Sequence, residues 1–345
     1  MRRITPAELY ETIPPGERPV VLDVRSPGEY ALGRLPGAVS LPLFSDAERA
    51  EVGTLYKQSS PDDALLRGLE IAGGKMRTLV EAARAAAPEG RVAVHCWRGG
   101  QRSASVGWLL ERAGMDVMQV TGGYKAFRQR VRAYFTENHH RYVVLGGATG
   151  SGKTYTLREL PAIGEYFVDL EGLANHKGSS FGAIGEEPQP SVEEFENQLY
   201  AKLLSIPPGA RVWLEDESQR IGRVYLPHEF YNHLSAAPVI ELVRPREWRL
   251  DFLTETYGGY PDDQLAAAFT RLRKKLGGQH LQTALEALER HDYRGAAAVA
   301  LVYYDKAYRY HTERRGARIV GRCEAGSVDH PAAARQLVKT AESFG

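Results

Sequence analysis

The sequence feature that most constrains the fold of this chain is a glycine-rich loop in its second half. Residues 141–145, RYVVL, predict a buried strand that runs directly into GGATGSGKT at residues 146–154. Residues 155–160 then have the pattern of a helix. The segment holds a complete G-x4-G-K-[ST] motif between the strand and the helix that this motif requires. This order predicts an α/β domain whose loop binds phosphate groups.

Each part of this loop has a role in binding a diphosphate. Glycines let successive backbone N–H groups turn inward, the Lys153 ammonium reaches the outer phosphates, and the Thr154 hydroxyl can ligate Mg²⁺. We predict phosphate contacts from eight residues: Gly147, Ala148, Thr149, Gly150, Ser151, Gly152, Lys153 and Thr154. No water-positioning side chain or catalytic arginine is identifiable, so the sequence leaves open whether the ligand is a nucleotide or another diphosphate.

Acidic residues follow two further predicted strands of this half. Residues 211–214 end at Glu215, the position of the magnesium-site acid in phosphate-loop enzymes, and Glu217 lies on the same face of an extended chain. A solvated turn after a strand fits this pattern equally well. The sequence therefore allows Mg²⁺ at Thr154 and Glu215 without requiring it. A polar, glycine-rich segment supplies further candidates for a second site: Asp169, Glu171, His176, Ser179 and Ser180.

The first half of the chain carries a cysteine in a second turn between a strand and a helix. Residues 91–94 predict a buried strand, residues 104–113 predict a helix, and HCWRGGQRS lies between them. Glycines and a helix N-terminus orient N–H groups toward a tetrahedral anion held beside the thiol. An inert, packed cysteine is the alternative, although two arginines make a poor apolar pocket. We predict Cys96 as catalytic, with an anion loop formed by Trp97, Arg98, Gly99, Gly100, Gln101, Arg102 and Ser103.

The surroundings of this loop resemble the rhodanese family over about the first 130 residues. The segments that carry the resemblance are DVRSPGEY at 23–30, LPGAVSLP at 35–42 and VTGGY at 120–124. Rhodanese loops place four residues between cysteine and arginine, whereas five separate Cys96 from Arg102. The longer loop suits a phosphate-sized anion. Cysteine-dependent phosphatases share this spacing, so the alternative function is a phosphatase or a sulfurtransferase fused to a kinase-like domain.

Four segments together resemble the bacterial tRNA 2-selenouridine synthase family: CWRGGQRS at 96–103, GGATGSGKT at 146–154, DLEGLANHKGSSFG at 169–182 and EDESQRIG at 215–222. The resemblance implies conversion of wobble 2-thiouridine in tRNA to 2-selenouridine with selenophosphate. It also implies an S-geranyl-2-thiouridine intermediate made from geranyl diphosphate, and it makes Cys96 the residue required for selenation. Geranyl diphosphate then becomes a candidate ligand of the phosphate loop, and no tightly bound cofactor is expected.

Length and composition predict the organisation of the chain. Its 345 residues suffice for two cored domains, which we place at 1–128 (rhodanese-like) and 141–345 (P-loop NTPase-like), joined by a linker helix at 129–140. The fold class is α/β with mainly parallel sheets, and a helical appendage begins at about residue 245. Two cysteines, the lack of an apolar run of about 18 residues, and a polar start predict a cytoplasmic protein without a membrane segment. The oligomeric state is not readable from the sequence.

A net charge of +1 gives no overall signature of RNA binding, so an RNA surface must be local. Basic residues cluster in three places: Arg128, Arg130 and Arg132; Arg271, Arg273, Lys274 and Lys275; and Arg309, Arg314, Arg315 and Arg318. Taken singly, each cluster is more typical of a solvated helix face than of an RNA contact. Unpaired bases stack on aromatic and guanidinium planes, which favours the third cluster. We therefore predict contacts with the tRNA anticodon region at Tyr308, Arg309, Tyr310, Arg314 and Arg315.

Overall fold

The computed structural model describes residues 1–315 and 318–344, and of residues 311–315 it describes only the backbone. The chain divides into two compact units, one formed by residues 1–136 with 191–204 and the other by residues 137–190 with the chain from residue 205 onward. Each unit contains a five-stranded sheet in which every strand pairing is parallel. The predicted α/β class with parallel sheets is thereby confirmed.

The first unit is built around a sheet in the order β1-β5-β4-β2-β3. Its strands are β1 (Arg2–Ile4), β2 (Val20–Asp23), β3 (Val39–Ser40), β4 (Arg91–His95) and β5 (Asp116–Val120). Its helices are α1 (Pro27–Leu32), α2 (Asp46–Gln58), α3 (Pro61–Gly73), α4 (Met76–Ala86), α5 (Gln101–Arg112), α6 (Gly123–Thr136) and α9 (Val192–Leu204). The apolar run of β4 is fully buried at the centre, so the loop after it begins at the carboxyl edge of the sheet, where α/β folds bind ligands.

Helix α9 belongs to the first unit although it lies far along the chain. Its Tyr200 ring packs 5.8 Å from the Phe127 ring of α6, and Arg128 donates a hydrogen bond to Asn197 at 2.6 Å. Residues 129–136 continue α6, so the observed division differs from the predicted limits of 1–128, 129–140 and 141–345. Sequence patterns describe contiguous segments, whereas this assignment depends on packing between segments far apart in the chain.

The second unit contains a sheet in the order β12-β11-β6-β8-β7 and a two-stranded antiparallel pair. Its strands are β6 (Arg141–Gly146), β7 (Tyr166–Val168), β8 (Arg211–Glu215), β9 (Arg220–Ile221), β10 (Val224–Tyr225), β11 (Val239–Val243) and β12 (Ile319–Glu324). Its helices are α7 (Lys153–Arg158), α8 (Leu170–Leu173), α10 (His228–Ala236), α11 (Arg246–Tyr257), α12 (Asp262–Arg271), α13 (Arg273–Leu276), α14 (Gly278–Glu289), α15 (Tyr293–Arg315) and α16 (His330–Glu342).

The helical region predicted from about residue 245 corresponds to α11 through α15, but the chain then returns to the sheet at β12. The sequence pattern did not reveal this strand. β12 lies at the edge of the sheet and is mostly half-exposed, so it lacks the continuous apolar run of a buried parallel strand. Across the described residues, the helices are all too short or too polar to cross a lipid bilayer.

Candidate active sites

Cys96 lies in the turn between β4 and α5, as predicted, but α5 begins at Gln101, three residues before the predicted start, so Gln101, Arg102 and Ser103 form its first turn. Cys96 is only 4% exposed, and its Sγ lies 3.3 Å from the Ser103 hydroxyl on the first turn of α5. Gln119 of β5 donates hydrogen bonds to the Gly99 carbonyl at 2.9 Å and to Ser103 Oγ at 3.0 Å. A neighbouring strand therefore holds the middle of the loop and the first turn of α5 beside the thiol.

The backbone of this loop is turned so that its carbonyl groups are occupied and its N–H groups are free. The N–H groups of Tyr124 and Lys125 donate to the carbonyls of Cys96 and Trp97, each at 2.9 Å. Gly123 allows this approach, because its φ is +58° and a Cβ there would lie 2.2 Å from the Cys96 carbonyl. Among the described residues, no acceptor faces the N–H groups of residues 97–103. Such a row of N–H groups at a helix N-terminus binds anions.

Arg102 is held by a carboxylate that sequence reasoning missed. Its guanidinium donates to Glu29 through Nη1 at 2.6 Å and through Nη2 at 3.2 Å. Burial disfavours the charged guanidinium and by itself would lower the pKa of Arg102. The hydrogen bonds to Glu29 favour the charged form, and the pKa of Arg102 is raised. The sequence did contain a signal for this contact, because Glu29 belongs to the segment 23–30 that carries the resemblance to the rhodanese family. The predicted contact of Arg102 with an anion stays a prediction, and Glu29 determines where the guanidinium lies.

His95 lies directly before the catalytic candidate but is fully buried behind it. Burial lowers the pKa of His95 to about 4, so the ring is neutral at pH 7. Its Nε2 lies 3.5 Å from Asp23, whose carboxylate accepts hydrogen bonds from Arg25 at 2.5 and 2.9 Å. This network links the carboxyl ends of β2 and β4 and so holds in place the strand end from which the Cys96 loop starts.

The phosphate loop of the second unit has a similar arrangement of N–H groups. Lys153 Nζ donates to the Gly147 carbonyl at 2.9 Å, which folds the side chain back over the loop. Within the described parts of the chain, the N–H groups of residues 148–150 and 152–154 meet no acceptor. The Ser151 hydroxyl is buried there without a hydrogen-bond partner among the described residues. The phosphate loop thus offers several backbone N–H donors and the Lys153 ammonium group close to one another.

Carboxylates cluster beside this loop. Glu215 at the end of β8 accepts a hydrogen bond from the Leu170 N–H at 2.9 Å through Oε2, while its buried Oε1 has no partner among the described residues. Burial, and then the charge of Glu171, raises the pKa of Glu215 well above its ordinary value. Burial and Glu171 also raise the pKa of Glu217 to about 8. The Thr154 hydroxyl donates to Glu171 at 3.0 Å.

These oxygen atoms are the type of ligand that Mg²⁺ prefers, so the residues fit the ion. The structure adds Glu171 to the predicted pair of Thr154 and Glu215. In the described part of the chain, no group of three or more His, Cys, Asp or Glu side chains has an arrangement that would hold a metal. Mg²⁺ usually takes one or two carboxylates from a protein and its other ligands from water and substrate phosphates, which is what Thr154 and the neighbouring acids would leave room for.

The other second-site candidates have roles within their own segment. Asp169 caps α8 by accepting from the Gly172 N–H at 2.7 Å and forms an ion pair with Arg158 at 2.8 Å. The Gly178 N–H donates to His176 at 3.1 Å, the Phe181 N–H donates to Ser179 at 3.1 Å, and the Ser180 N–H donates to the Tyr304 hydroxyl at 3.3 Å. These hydrogen bonds shape the segment 169–182.

An apolar cavity adjoins the phosphate loop, and sequence reasoning did not predict it. Its cavity volume is about 60 Å³, and it opens to solvent. Its lining is aliphatic and aromatic apart from a few hydroxyl groups: Thr149, Ser179, Phe181, Leu253, Tyr257, Leu265, Phe269, Leu288, Tyr293, Ala296, Ala297, Ala300, Leu301 and Tyr304. Arg249 lies where the cavity meets the phosphate loop. It donates a hydrogen bond to the Thr149 carbonyl at 3.1 Å and forms an ion pair with Asp305 at 2.7 Å.

The structure gives the predicted RNA contacts different environments. Tyr308 donates a hydrogen bond to Glu241 at 2.8 Å, which ties its hydroxyl to β11, whereas the Tyr310 side chain is 58% exposed. Arg309 is exposed on the same helix. The predicted contacts Arg314 and Arg315 lie outside the side chains that the structure describes. In the first basic cluster, Arg128 is buried by its contacts with α9, so it offers RNA no exposed cation.

The fold and the two loops define a protein that joins a rhodanese-like unit to a P-loop unit. The Rhodanese-like domain family matches residues 5–130, and the tRNA 2-selenouridine synthase AAA domain family matches residues 140–261. The tRNA 2-selenouridine synthase of Sulfurovum sp. (strain NBC37-1) is 36% identical over 90% of this chain and 93% of its own length. That of Salmonella dublin is 37% identical over 92% and 95%. The chain therefore belongs to the tRNA 2-selenouridine synthase family.

Among similar solved structures is the N-terminal domain of a candidate ATP/GTP-binding protein from Clostridium difficile 630. It is 30% identical and covers 37% of this chain and 98% of its own, with a TM-score of 0.33. The family assignment rests on the two synthases.

Proposed function

We propose that this chain converts 2-thiouridine at the wobble position of tRNA to 2-selenouridine in two steps, one on each unit. The proposal rests on one observation. Each unit has a loop whose free backbone N–H groups can bind an anion, and each loop lies beside a feature that one of the two steps needs. The phosphate loop adjoins an apolar cavity, and the other loop surrounds a thiol. The relatives support a tRNA substrate, since both are named tRNA 2-selenouridine synthase.

In the first step, geranyl diphosphate binds the second unit. The N–H groups of the phosphate loop and Lys153 hold the diphosphate, and the apolar cavity beside Thr149 takes the hydrocarbon chain. The sulfur of 2-thiouridine attacks C1 of the geranyl group, the C–O bond breaks, diphosphate leaves, and the base loses its N3 proton. Magnesium held by Thr154 and a neighbouring acid would neutralise charge on the leaving diphosphate. No step requires hydrolysis of ATP.

In the second step, the loop at Cys96 holds the phosphate group of selenophosphate. Selenium attacks C2 of the S-geranyl base, the C–S bond breaks, and geranyl thiolate leaves. Water then cleaves the Se–P bond and releases phosphate, which leaves 2-selenouridine. The free N–H groups of residues 97–103 are suited to the tetrahedral phosphate, and Cys96 at the base of the loop is the proposed catalytic residue.

The test uses purified full-length protein with a 2-thiouridine anticodon stem-loop RNA, geranyl diphosphate and Mg²⁺, with and without ATP. Nucleoside mass spectrometry is expected to detect S-geranyl-2-thiouridine in both reactions, and 2-selenouridine once selenophosphate is added. An absolute requirement for ATP would contradict the proposed use of the phosphate loop. Failure to form 2-selenouridine from the geranylated RNA would contradict the second step.

The spacing of Cys96 and Arg102 also favours a second candidate, a cysteine-dependent phosphatase. This activity requires a general acid beside the thiol. His95 is neutral and fully buried, and Glu29 is bound to Arg102, so neither is placed for that role. Turnover of p-nitrophenyl phosphate by the parent protein, lost in Cys96→Ser, would support this candidate.

A further inference from the structure

A wide groove crosses the first unit from the α2–α3 helix pair to the first turn of α5. Its volume is about 510 Å³, and it is open to solvent. At one end it is lined by Gln101, Arg102 and Ser105, which belong to the cysteine loop or follow it directly. The groove is therefore continuous with the loop that carries Cys96.

The walls of this groove combine exposed apolar groups with positive charge. Tyr56 of α2 is 62% exposed and Leu69 of α3 is 56% exposed, and both line it. The charged residues that line it are Arg49, Lys57 and Arg102; no carboxylate is among the lining residues, although Arg102 and Arg49 lie 2.6 and 3.9 Å from Glu29 beside the groove. Contiguous exposed apolar surface marks a binding site, and a cationic border favours a polyanion. The groove thus fits an apolar group carried by a nucleic acid.

We propose that this groove binds the prenyl chain of S-geranyl-2-thiouridine RNA while selenium replaces its sulfur. This inference rests on the proposed function. The prenyl chain is joined through one sulfur atom to the carbon that selenium attacks, so the chain must lie next to the anion loop during that step. The groove begins at Gln101 and Arg102 of that loop, and its apolar walls remove the chain from water.

The same geometry gives the leaving group a defined path. When the C–S bond breaks, geranyl thiolate is released with its hydrocarbon chain already in the groove. RNA that still carries 2-thiouridine lacks this chain and gains nothing from the apolar walls. The groove therefore selects the geranylated intermediate for selenation.

The test compares two leucines on the same helix. Leu69 lines the groove, whereas Leu66 is 59% exposed on α3 and does not line it. Leu69→Asp is expected to weaken binding of the full-length protein to S-geranyl-2-thiouridine stem-loop RNA by at least about tenfold, because a carboxylate there replaces an apolar contact with the prenyl chain. Leu66→Asp is expected to bind this RNA like the parent.

A second variant and a second RNA complete the design. Tyr56→Asp changes a lining residue on α2 rather than α3 and is expected to act as Leu69→Asp does, which guards against a local folding defect in α3. The 2-thiouridine RNA without the prenyl chain is expected to bind Leu69→Asp and Leu66→Asp with equal affinity. The ratio of the two RNA affinities therefore isolates the contribution of the chain.

The outcomes separate this inference from the proposed function. Equal affinity of Leu69→Asp and Leu66→Asp for geranylated RNA, with normal selenation by both, would overturn the groove assignment and leave the two-step reaction standing. Failure of the parent protein to selenate geranylated RNA would overturn both. Loss of affinity for both RNAs in Leu69→Asp alone would identify the groove as a general RNA contact and would also overturn the assignment.

Discussion

Replacing Arg102 with lysine tests how the cysteine loop holds its anion. The guanidinium uses two N–H groups to hold both oxygens of Glu29, at 2.6 and 3.2 Å, and its planar shape leaves further N–H groups for a phosphate. A lysine ammonium is a compact charge that cannot hold both carboxylate oxygens and also present a planar pair of donors. Arg102→Lys therefore keeps the positive charge and removes the geometry.

The expected loss follows from the number of contacts. A hydrogen bond to a charged group contributes about 1.5–3 kcal/mol, so removing one from the bound selenophosphate corresponds to about a 10- to 150-fold fall in kcat/KM. RNA affinity is expected to stay unchanged, since the substitution preserves the charge. Geranylation is also expected to stay unchanged, because the proposed function assigns that step to the second unit.

The assay measures initial rates of 2-selenouridine formation on geranylated stem-loop RNA while selenophosphate is varied. Arg112→Lys is the matched control, because Arg112 is exposed at the other end of α5. It should show parental kinetics. If Arg102→Lys also gave parental kcat/KM for selenophosphate, the anion would not be held by Arg102 and the reasoning would be refuted.

Three further predictions concern the two loops and the acids. Cys96→Ala should fold but form no 2-selenouridine in cells that express only this variant, and normal selenouridine levels would contradict the assignment. Lys153→Ala should reduce geranylation by about 10- to 100-fold while sparing selenation of geranylated RNA, since one charge-assisted contact is lost; unchanged geranylation would exclude Lys153. Burial and Glu171 raise the pKa of Glu217 from 4.5 to about 8, so its contribution to stability is complete below pH 4.5 and is lost as pH rises through 8. Glu217→Gln should therefore flatten the fall in Tm over this range, and an unchanged slope in thermal unfolding would contradict the shift.

The sequence by itself determined the two loops and the α/β class. Glycine positions and the apolar strands before them dictate the backbone locally, so Cys96 and Lys153 lie at strand-to-helix turns as predicted. The predicted acid Glu215 also lies at the end of its strand. Such features depend on residues within about ten positions of each other, which a single sequence displays directly.

Only the tertiary structure decided which distant groups meet. Glu29 and Arg102 are 73 residues apart and become neighbours through the order of the parallel strands. Helix α9 joins the first unit because its buried aromatic side chains pack against α6, and β12 joins the second sheet by pairing with β11, which lies far from it along the chain. The apolar cavity and the groove likewise arise between helices whose facing side chains no local pattern identifies. Local conformation follows from neighbouring residues, whereas these contacts follow from packing of the whole chain.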